Sequence, residues 1–249
     1  MGSLATVILA AGKGKRMKSE LAKVLHPVCG RPMVSYVIKT AKKLGSQQVI
    51  VVVGYQRERV VQALQGEGVE FVVQTEQLGT AHALLQASQA LADFHGELLV
   101  LSGDTPLLSE QTVSQLLGQH RDSRAMATVL TAILEDPYGY GRVLRTRENM
   151  LEAIVEEKDA SEEQRAIKEI NTGTYCFQAP GIFGILSQIS RDNRQDEFYL
   201  TDAIAILRLR GLPVAAVVAE NSWETLGVNS VDQLLIAEEI MARHKELKN

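Results

Sequence analysis

"LATVILAAGKGKRMKSELAKVL" fills residues 4–25, and its reading decides how the rest of the chain is understood. Residues 4–11 are apolar but for Thr6, for the length of one strand. Such a run suits a strand buried on both faces, as in a parallel sheet covered by helices on either side. The run then opens into a loop that holds Gly12 and Gly14 and the cations Lys13, Lys15, Arg16, Lys18 and Lys23. The whole chain has a net charge of −4 and a pI near 5.8, so this cationic loop is a local feature. That balance excludes bulk electrostatic binding to nucleic acid or an anionic membrane and points to a small anion held at one place. Gly12 and Gly14 let backbone N–H groups come close to phosphate oxygens, and Arg16 and Lys23 supply the opposing charge. A plain glycine turn between strand and helix is the alternative.

The loop is not a dinucleotide fingerprint. Met17 stands where a third glycine belongs, and the second strand ends in Gly54-Tyr55 with no acid for a ribose. The phosphate-loop spacing G-x-x-x-x-G-K-[ST] does not occur.

Outward from this stretch, strands and helices alternate. Strands are predicted at 49–54, 69–74 and 97–104, with helices at 32–44, 56–65, 79–91 and 110–120 between and after them. A strand at 125–134 follows. The second half is mixed, with strands near 151–156, 173–178 and 213–219 and helices near 180–189, 198–209 and 231–247. The last helix places Leu234, Leu235, Ala237, Ile240, Met241 and His244 on one broad face. The pattern predicts a three-layer α/β/α sandwich around a mostly parallel, Rossmann-like sheet. Residues 1–230 are read as one domain and 231–249 as a C-terminal helix. No apolar stretch approaches the roughly 18 residues of a membrane span. Residues 4–11 lack the flanks of a signal peptide, and Cys29 and Cys176 have no metal-like spacing. A cytoplasmic chain with reduced thiols and no membrane or nucleic-acid partner is expected.

Ligands of open α/β sheets bind at the carboxyl ends of the parallel strands. Those ends supply residues 10–23, 74–80 and Gly103-Asp104. An acid directly ending a buried strand can hold a divalent cation against a phosphate, because Mg²⁺ takes one or two carboxylates and completes its shell with water and phosphate oxygens. Capping of the next helix is the other role open to Asp104. Pro106, where a second acid would stand, argues against an Asp-x-Asp metal motif.

Eight segments then carry a resemblance: "LAAGKGKRM…KVLHPVCGRPM", "QTEQLGTAHAL", "LSGDTPLL", "DPYGYGRV", "IVEEKDA", "EINTGTYCF", "EFYLTD" and "LGVNSVDQL". In order and over nearly all of residues 4–247, they resemble the uridylyltransferase domain of the bifunctional bacterial N-acetylglucosamine-1-phosphate uridylyltransferase/glucosamine-1-phosphate acetyltransferase family. The β-helix that carries acetyl transfer in that family is not in this sequence, so no acetyltransferase activity is expected of these residues.

The resemblance implies a nucleotidyltransferase fold of the glycosyltransferase-A-like type and a site assigned position by position. Ala10, Ala11, Gly12 and the amide of Gln74 would read uracil, the amide both donating and accepting, with Gly79 and Thr80 packed beside the base. Arg16 and Lys23 would clamp the triphosphate and the departing pyrophosphate. Asp104 and Asn229 would share Mg²⁺. Gly141, Glu156 and Asn171 would hold N-acetylglucosamine 1-phosphate. UTP and the sugar 1-phosphate are the implied partners, and a monomer is expected, since that family's trimer is built largely by the β-helix.

Taken alone, these residues have plainer readings. Gln74 can be a loop amide, Glu156 part of a solvated charged face, Asn171 and Asn229 turn residues, and "YGYGRV" a glycine-rich turn. None of the five histidines shows ligand or triad spacing. The sequence departs from the family's loop at two places, with Lys15 for its usual Thr and Ala22 for its usual Pro. A nucleotidyltransferase for another sugar phosphate and a non-catalytic nucleotide-binding domain are the competing functions. Lys15, among four other cations, is expected to aid triphosphate binding.

Overall fold

The computed structural model describes residues 2–246, without the side chains of Lys15 and of residues 244–246. The expectations for Lys15, His244 and residue 247 therefore fall outside the described residues.

The first strand, β1 (Leu4–Ala10), shows why the opening run decides the fold. Leu4, Ile8 and Ala10 face one apolar cluster, and Ala5 and Val7 face another on the opposite side. Strand side chains alternate between faces, so a strand apolar on both has to be covered twice. A short hairpin, β2 (Pro27–Val28) with β3 (Arg31–Pro32), leads into α1 (Met33–Lys43). Then come β4 (Gln48–Val53), α2 (Arg57–Ala63), β5 (Glu70–Val73), α3 (Thr80–Leu85), β6 (Gly96–Ser102), α4 (Glu110–Ser123) and β7 (Ala127–Ile133). The second half supplies β8 (Arg142–Arg145), β9 (Leu151–Val155), α5 (Glu162–Arg165), β10 (Glu169–Ala179), α6 (Gly181–Leu186), α7 (Asp202–Leu209), β11 (Val214–Val218) and α8 (Val231–Glu246).

Among the described residues one sheet has nine strands, with the order β11-β7-β10-β6-β1-β4-β5 and the β8–β9 hairpin attached to β10. Within the seven-strand path all pairings are parallel except those of β10, which is antiparallel to β6 and β7. Helices α1, α2 and α4 cover one face through Val34, Val37, Ile38, Val60, Val113 and Leu116. Helices α3, α6 and α7 cover the other through Leu84, Ile182, Ile185, Ile204 and Leu207. The three-layer, mostly parallel architecture is the expected one.

Three local expectations are corrected. The helix predicted at 79–91 ends at Leu85, and Ala87 and Ser88 then bond to the carbonyls three residues back, so the chain continues in tighter turns that still bury Ala87 and Leu91. "YGYGRV" is not only a turn, because its end starts β8. On α8, Leu234, Ala237, Ile240 and Met241 pack with Val28, Met33, Leu107 and Val228, but Leu235 is 58% exposed and lies off that face. No described helix is long and apolar enough to cross a membrane.

Candidate active site

The carboxyl ends of β1, β4, β5 and β6 share one edge of the sheet, and the reversed direction of β10 brings its beginning to the same edge. Asn171, near the start of β10, therefore lies beside the residues that follow the parallel strands. The β8–β9 hairpin adds Gly141 just before β8 and Glu156 just after β9, since Arg142 pairs with both Ile170 and Val155. These three residues form one group. The Asn171 N–H donates to the Gly141 carbonyl at 2.9 Å. A Cβ on Gly141 would come within 3.1 Å of Ile154 Cγ2 and lie 3.6 Å from both Asn171 Cβ and Glu156 Oε2, so Gly141 stands directly against both side chains.

At the end of β6, the Asp104 carboxylate pairs with the Lys23 ammonium. Lys23 Nζ also donates to Asn229 Oδ1 at 3.0 Å, so one lysine joins the two expected cation ligands, far apart in sequence. The Asp104 carbonyl accepts from Val228 N–H at 2.8 Å and ties the Asn229 loop to the strand end. Asp104 does not cap the next helix: Ser109 does, accepting from Thr112 N–H at 3.2 Å. No group of three or more His, Cys, Asp or Glu residues that could enclose a metal occurs among the described residues. One carboxylate and one amide oxygen sharing a cationic group are instead the hard-oxygen set that suits a cation completed by phosphate and water.

Lys23 is placed by its own loop. Gly14 has φ +67°, and a Cβ there would come within 2.5 Å of Lys23 Cβ, so only glycine lets the lysine stem pass. The Gln56 side chain holds the preceding turn, accepting from Ala22 N–H at 3.0 Å and donating to the Glu20 carbonyl at 2.6 Å. Arg16 is exposed and extends toward the Gly139 turn, with its Nη1 3.9 Å from the point where a Gly139 Cβ would stand. Ala10 and Ala11 are buried under the loop, and the Ala11 carbonyl accepts from Tyr55 N–H at 3.0 Å. Gly12 is exposed, with nothing near the direction of a Cβ.

Gln74 is buried at the end of β5. Its Nε2 donates to the Gly79 carbonyl at 3.0 Å and meets Nδ1 of His82 at 3.1 Å. The amide nitrogen of Gln74 thus faces two protein partners, the Gly79 carbonyl and the His82 ring. Gly79 (φ +113°) packs against the Phe198 backbone, where a Cβ would meet Phe198 O at 2.5 Å. Thr80 Oγ1 accepts from Leu200 N–H at 3.0 Å. Gly79 and Thr80 thereby fix the segment before α7 to the Gln74 loop.

Glu156 is half-buried, and its Oε1 accepts from Thr201 Oγ1 at 3.0 Å. Burial pushes its carboxyl above the usual carboxylate range, the Thr201 bond opposes this, and Asp202, Asp159 and Glu197 add to the rise. Asn171 Nδ2 donates to Tyr175 Oη at 2.7 Å, and its Oδ1 accepts from Gly173 N–H at 3.1 Å. Behind this group Arg142 is fully buried. It pairs with Glu157 Oε2 at 2.8 Å and donates to the Tyr140 carbonyl, while the same Glu157 oxygen accepts from Gly139 N–H at 3.1 Å.

Each site residue inferred from the sequence lies on this edge or in the loops that meet there. His82, Tyr175, Thr201 and the Arg142–Glu157 pair escaped the sequence reading. Only the Arg of "YGYGRV" gave a signal, as a cation inside an otherwise small and aromatic motif.

A parallel sheet with a cationic glycine loop after its first strand, and a lone acid ending a central one, defines the nucleotidyltransferase class, whose members generally use a divalent metal. Residues 6–172 match the MobA-like NTP transferase domain, and the chain belongs to that family. Over its whole length it is 52% identical to the bifunctional protein GlmU of Bacillus cereus (strain AH187) and to that of Bacillus thuringiensis (strain Al Hakam). Each match covers 54% of the relative, so the chain spans about half the length of the curated relatives it matches. A crystal structure of UDP-glucose pyrophosphorylase complexed with UDP-glucose has the same fold, with a TM-score of 0.78 and 18% identity, covering 98% of this chain and 100% of that one.

Proposed function

We propose that this chain transfers a uridylyl group from UTP to N-acetylglucosamine 1-phosphate, giving UDP-N-acetylglucosamine and pyrophosphate, with Mg²⁺ held by Asp104 and Asn229. The observation that carries the reading is the convergence of Gly141, Glu156 and Asn171 into one group at the sheet edge where the turn after β6 carries Asp104. A nucleotide-binding domain without a second substrate has no need of that group.

No enzyme nucleophile is required. The second pKa of a phosphate monoester is about 6, so the sugar phosphate is mostly dianionic at neutral pH. One of its oxygens attacks the α-phosphorus of UTP, the bond to the β-phosphate breaks, and pyrophosphate leaves with the electron pair. The obstacle is repulsion between two polyanions, and the chain answers it with charge and backbone donors. Ala11 and Gly12 offer the start of the loop to the nucleotide, and Arg16 and Lys23 balance the phosphates. Lys23, which bridges Asp104 and Asn229, would balance phosphate charge beside the cation that those two residues would hold. The bound Mg²⁺ supplies further neutralisation of phosphate charge. Glu156 and Asn171 orient the sugar through its hydroxyl and acetamido groups.

Pyrophosphate release across a panel of nucleotides and sugar phosphates tests the reading. UTP with N-acetylglucosamine 1-phosphate is expected to be the fastest pair, and glucosamine 1-phosphate a poor acceptor. A faster rate with another base or sugar, or no release with any pair, overturns it.

A further inference from the structure

Gln74 carries one amide nitrogen with two hydrogens and one oxygen. The Gly79 carbonyl, 3.0 Å away, can only accept, so the atom facing it must be the nitrogen, and the two ends of the amide are not interchangeable. The same nitrogen faces His82 Nδ1 at 3.1 Å; since Nε2 of Gln74 can only donate, Nδ1 accepts, and the neutral imidazole carries its hydrogen on the other nitrogen. Both amide hydrogens are therefore engaged inside the protein. Oε1 makes no hydrogen bond among the described residues and is not one of the buried unpartnered atoms, so it remains open to a ligand.

The imidazole is itself held in place. The ring lies 6.2 Å from Phe198, tilted by 35°. Phe198 is fixed in turn, its carbonyl accepting from Ala81 N–H at 2.9 Å and its N–H donating to the Leu78 carbonyl at 2.7 Å.

We propose that His82 is the specificity-determining residue for the base: by accepting the second hydrogen of Gln74, it turns the amide into an acceptor alone. An acceptor fits a pyrimidine whose ring N3 carries a hydrogen, as uracil does. It repels one whose N3 carries a lone pair, as cytosine does. A free NH₂ on Gln74 would blur that distinction, because the amide could then turn a donor toward cytosine N3. A site built around one fixed hydrogen bond rejects the analogue that cannot make it far more strongly than a merely shaped pocket does. The inference rests on the uridylyltransfer reading, with Gln74 facing the base, and adds a residue that touches no substrate.

The test compares UTP and CTP in wild type and in His82→Phe, which keeps a ring against Phe198 but removes the acceptor. We expect the UTP-over-CTP ratio of kcat/KM to fall by about tenfold or more, with the KM for the sugar phosphate within twofold of wild type. An unchanged ratio, or a parallel loss of both nucleotides, overturns the proposal, because a merely structural histidine would give one of these. If His82→Phe does not fold, the same ratio is read in His82→Leu, which also removes the acceptor: a fall of about tenfold or more supports the proposal, and an unchanged ratio overturns it. Wild type that uses UTP and CTP equally refutes the uridylyltransfer reading itself, whereas a UTP-preferring wild type with an indifferent His82→Phe variant refutes only the role of His82.

Discussion

The backbone at Ala22 has φ −53° and ψ 133°, within the range a proline ring would hold. A proline there would nevertheless lose the N–H that donates to Gln56 Oε1. Gln56, itself at φ +52°, thus does by hydrogen bonding what a ring would do by covalent constraint, and it places the turn before Lys23. Gln56→Ala should lower stability by about 1–2 kcal/mol, since two bonds to backbone groups are lost, and raise the KM for UTP. Adding Ala22→Pro should recover about 0.5 kcal/mol by restricting the unfolded chain. Denaturant melts of the single and double variants check both, and a Gln56→Ala protein as stable as wild type would remove Gln56 from this role. Asp104 gives the second residue-scale prediction. Asp104→Asn keeps the shape but removes the charge that pairs with Lys23. Turnover should fall by about a hundredfold or more while the melting temperature moves by only a few degrees, and retention of most metal-dependent activity would contradict the assignment.

Among the elements, β9 matches the strand predicted near 151–156 while β8 had no such prediction, and the hairpin they form carries Gly141 and Glu156 to the site. Its first residue, Arg142, reads as a surface cation, yet its guanidinium is buried and joins the Tyr140 carbonyl to Glu157. That pair keeps Gly139, Gly141 and Glu156 in register, because Glu157 also receives the Gly139 N–H. Without the guanidinium, Glu157 would keep Arg165 at 3.6 Å and the Gly139 N–H, so Arg142→Met should destabilise by about 1–3 kcal/mol, chiefly through the lost buried hydrogen bonds. Glu157→Gln should be milder and raise the KM for the sugar phosphate more than that for UTP; the reverse order would show that the pair serves the nucleotide side. Here the limit of the sequence becomes physical. Strands β1, β4 and β6 were legible because burial on both faces leaves largely apolar runs, broken within β1 only by Thr6 and in β6 only near its ends. Arg142 was not, because its partner lies 15 residues away and only packing shows that they meet. The same holds for His82, which looks like an ordinary core histidine until Gln74 is placed beside it. The loops at the strand ends were legible because polar residues and glycines collect where regular pairing stops. The end of α3 was not, because the tighter turns after Leu85 bury side chains at nearly helical spacing.

Across the whole molecule, the acids around Glu156 set a pH dependence. Its carboxyl is held above the usual range by burial and by neighbouring carboxylates, so the folded chain keeps that proton to higher pH than the unfolded chain does. Stability is undiminished below the ordinary carboxylate pKa of about 4.3 and declines as pH rises from there through the raised folded value. Glu156→Gln removes the ionisation. Its melting temperature should exceed that of wild type at pH 7.5 and approach it near pH 4, with sugar-phosphate binding weakened throughout. A difference independent of pH would show that Glu156 is not the titrating group.

The reversed strand β10 has a further consequence, one of measurement. From β5, which Gln74 follows, to β10, which begins at Glu169, the sheet takes four inter-strand steps, about 19 Å at the usual spacing. Along that edge the chain presents Gln74, then the loop after β1, then Asp104, then the Asn171 pocket, the sequence in which a nucleotide sugar carries base, phosphates and sugar. The sheet is thus a ruler graduated in backbone hydrogen bonds. On the proposed reading, a product would be matched in length as well as in chemistry, and shifting a loop by one residue would leave that calibration intact.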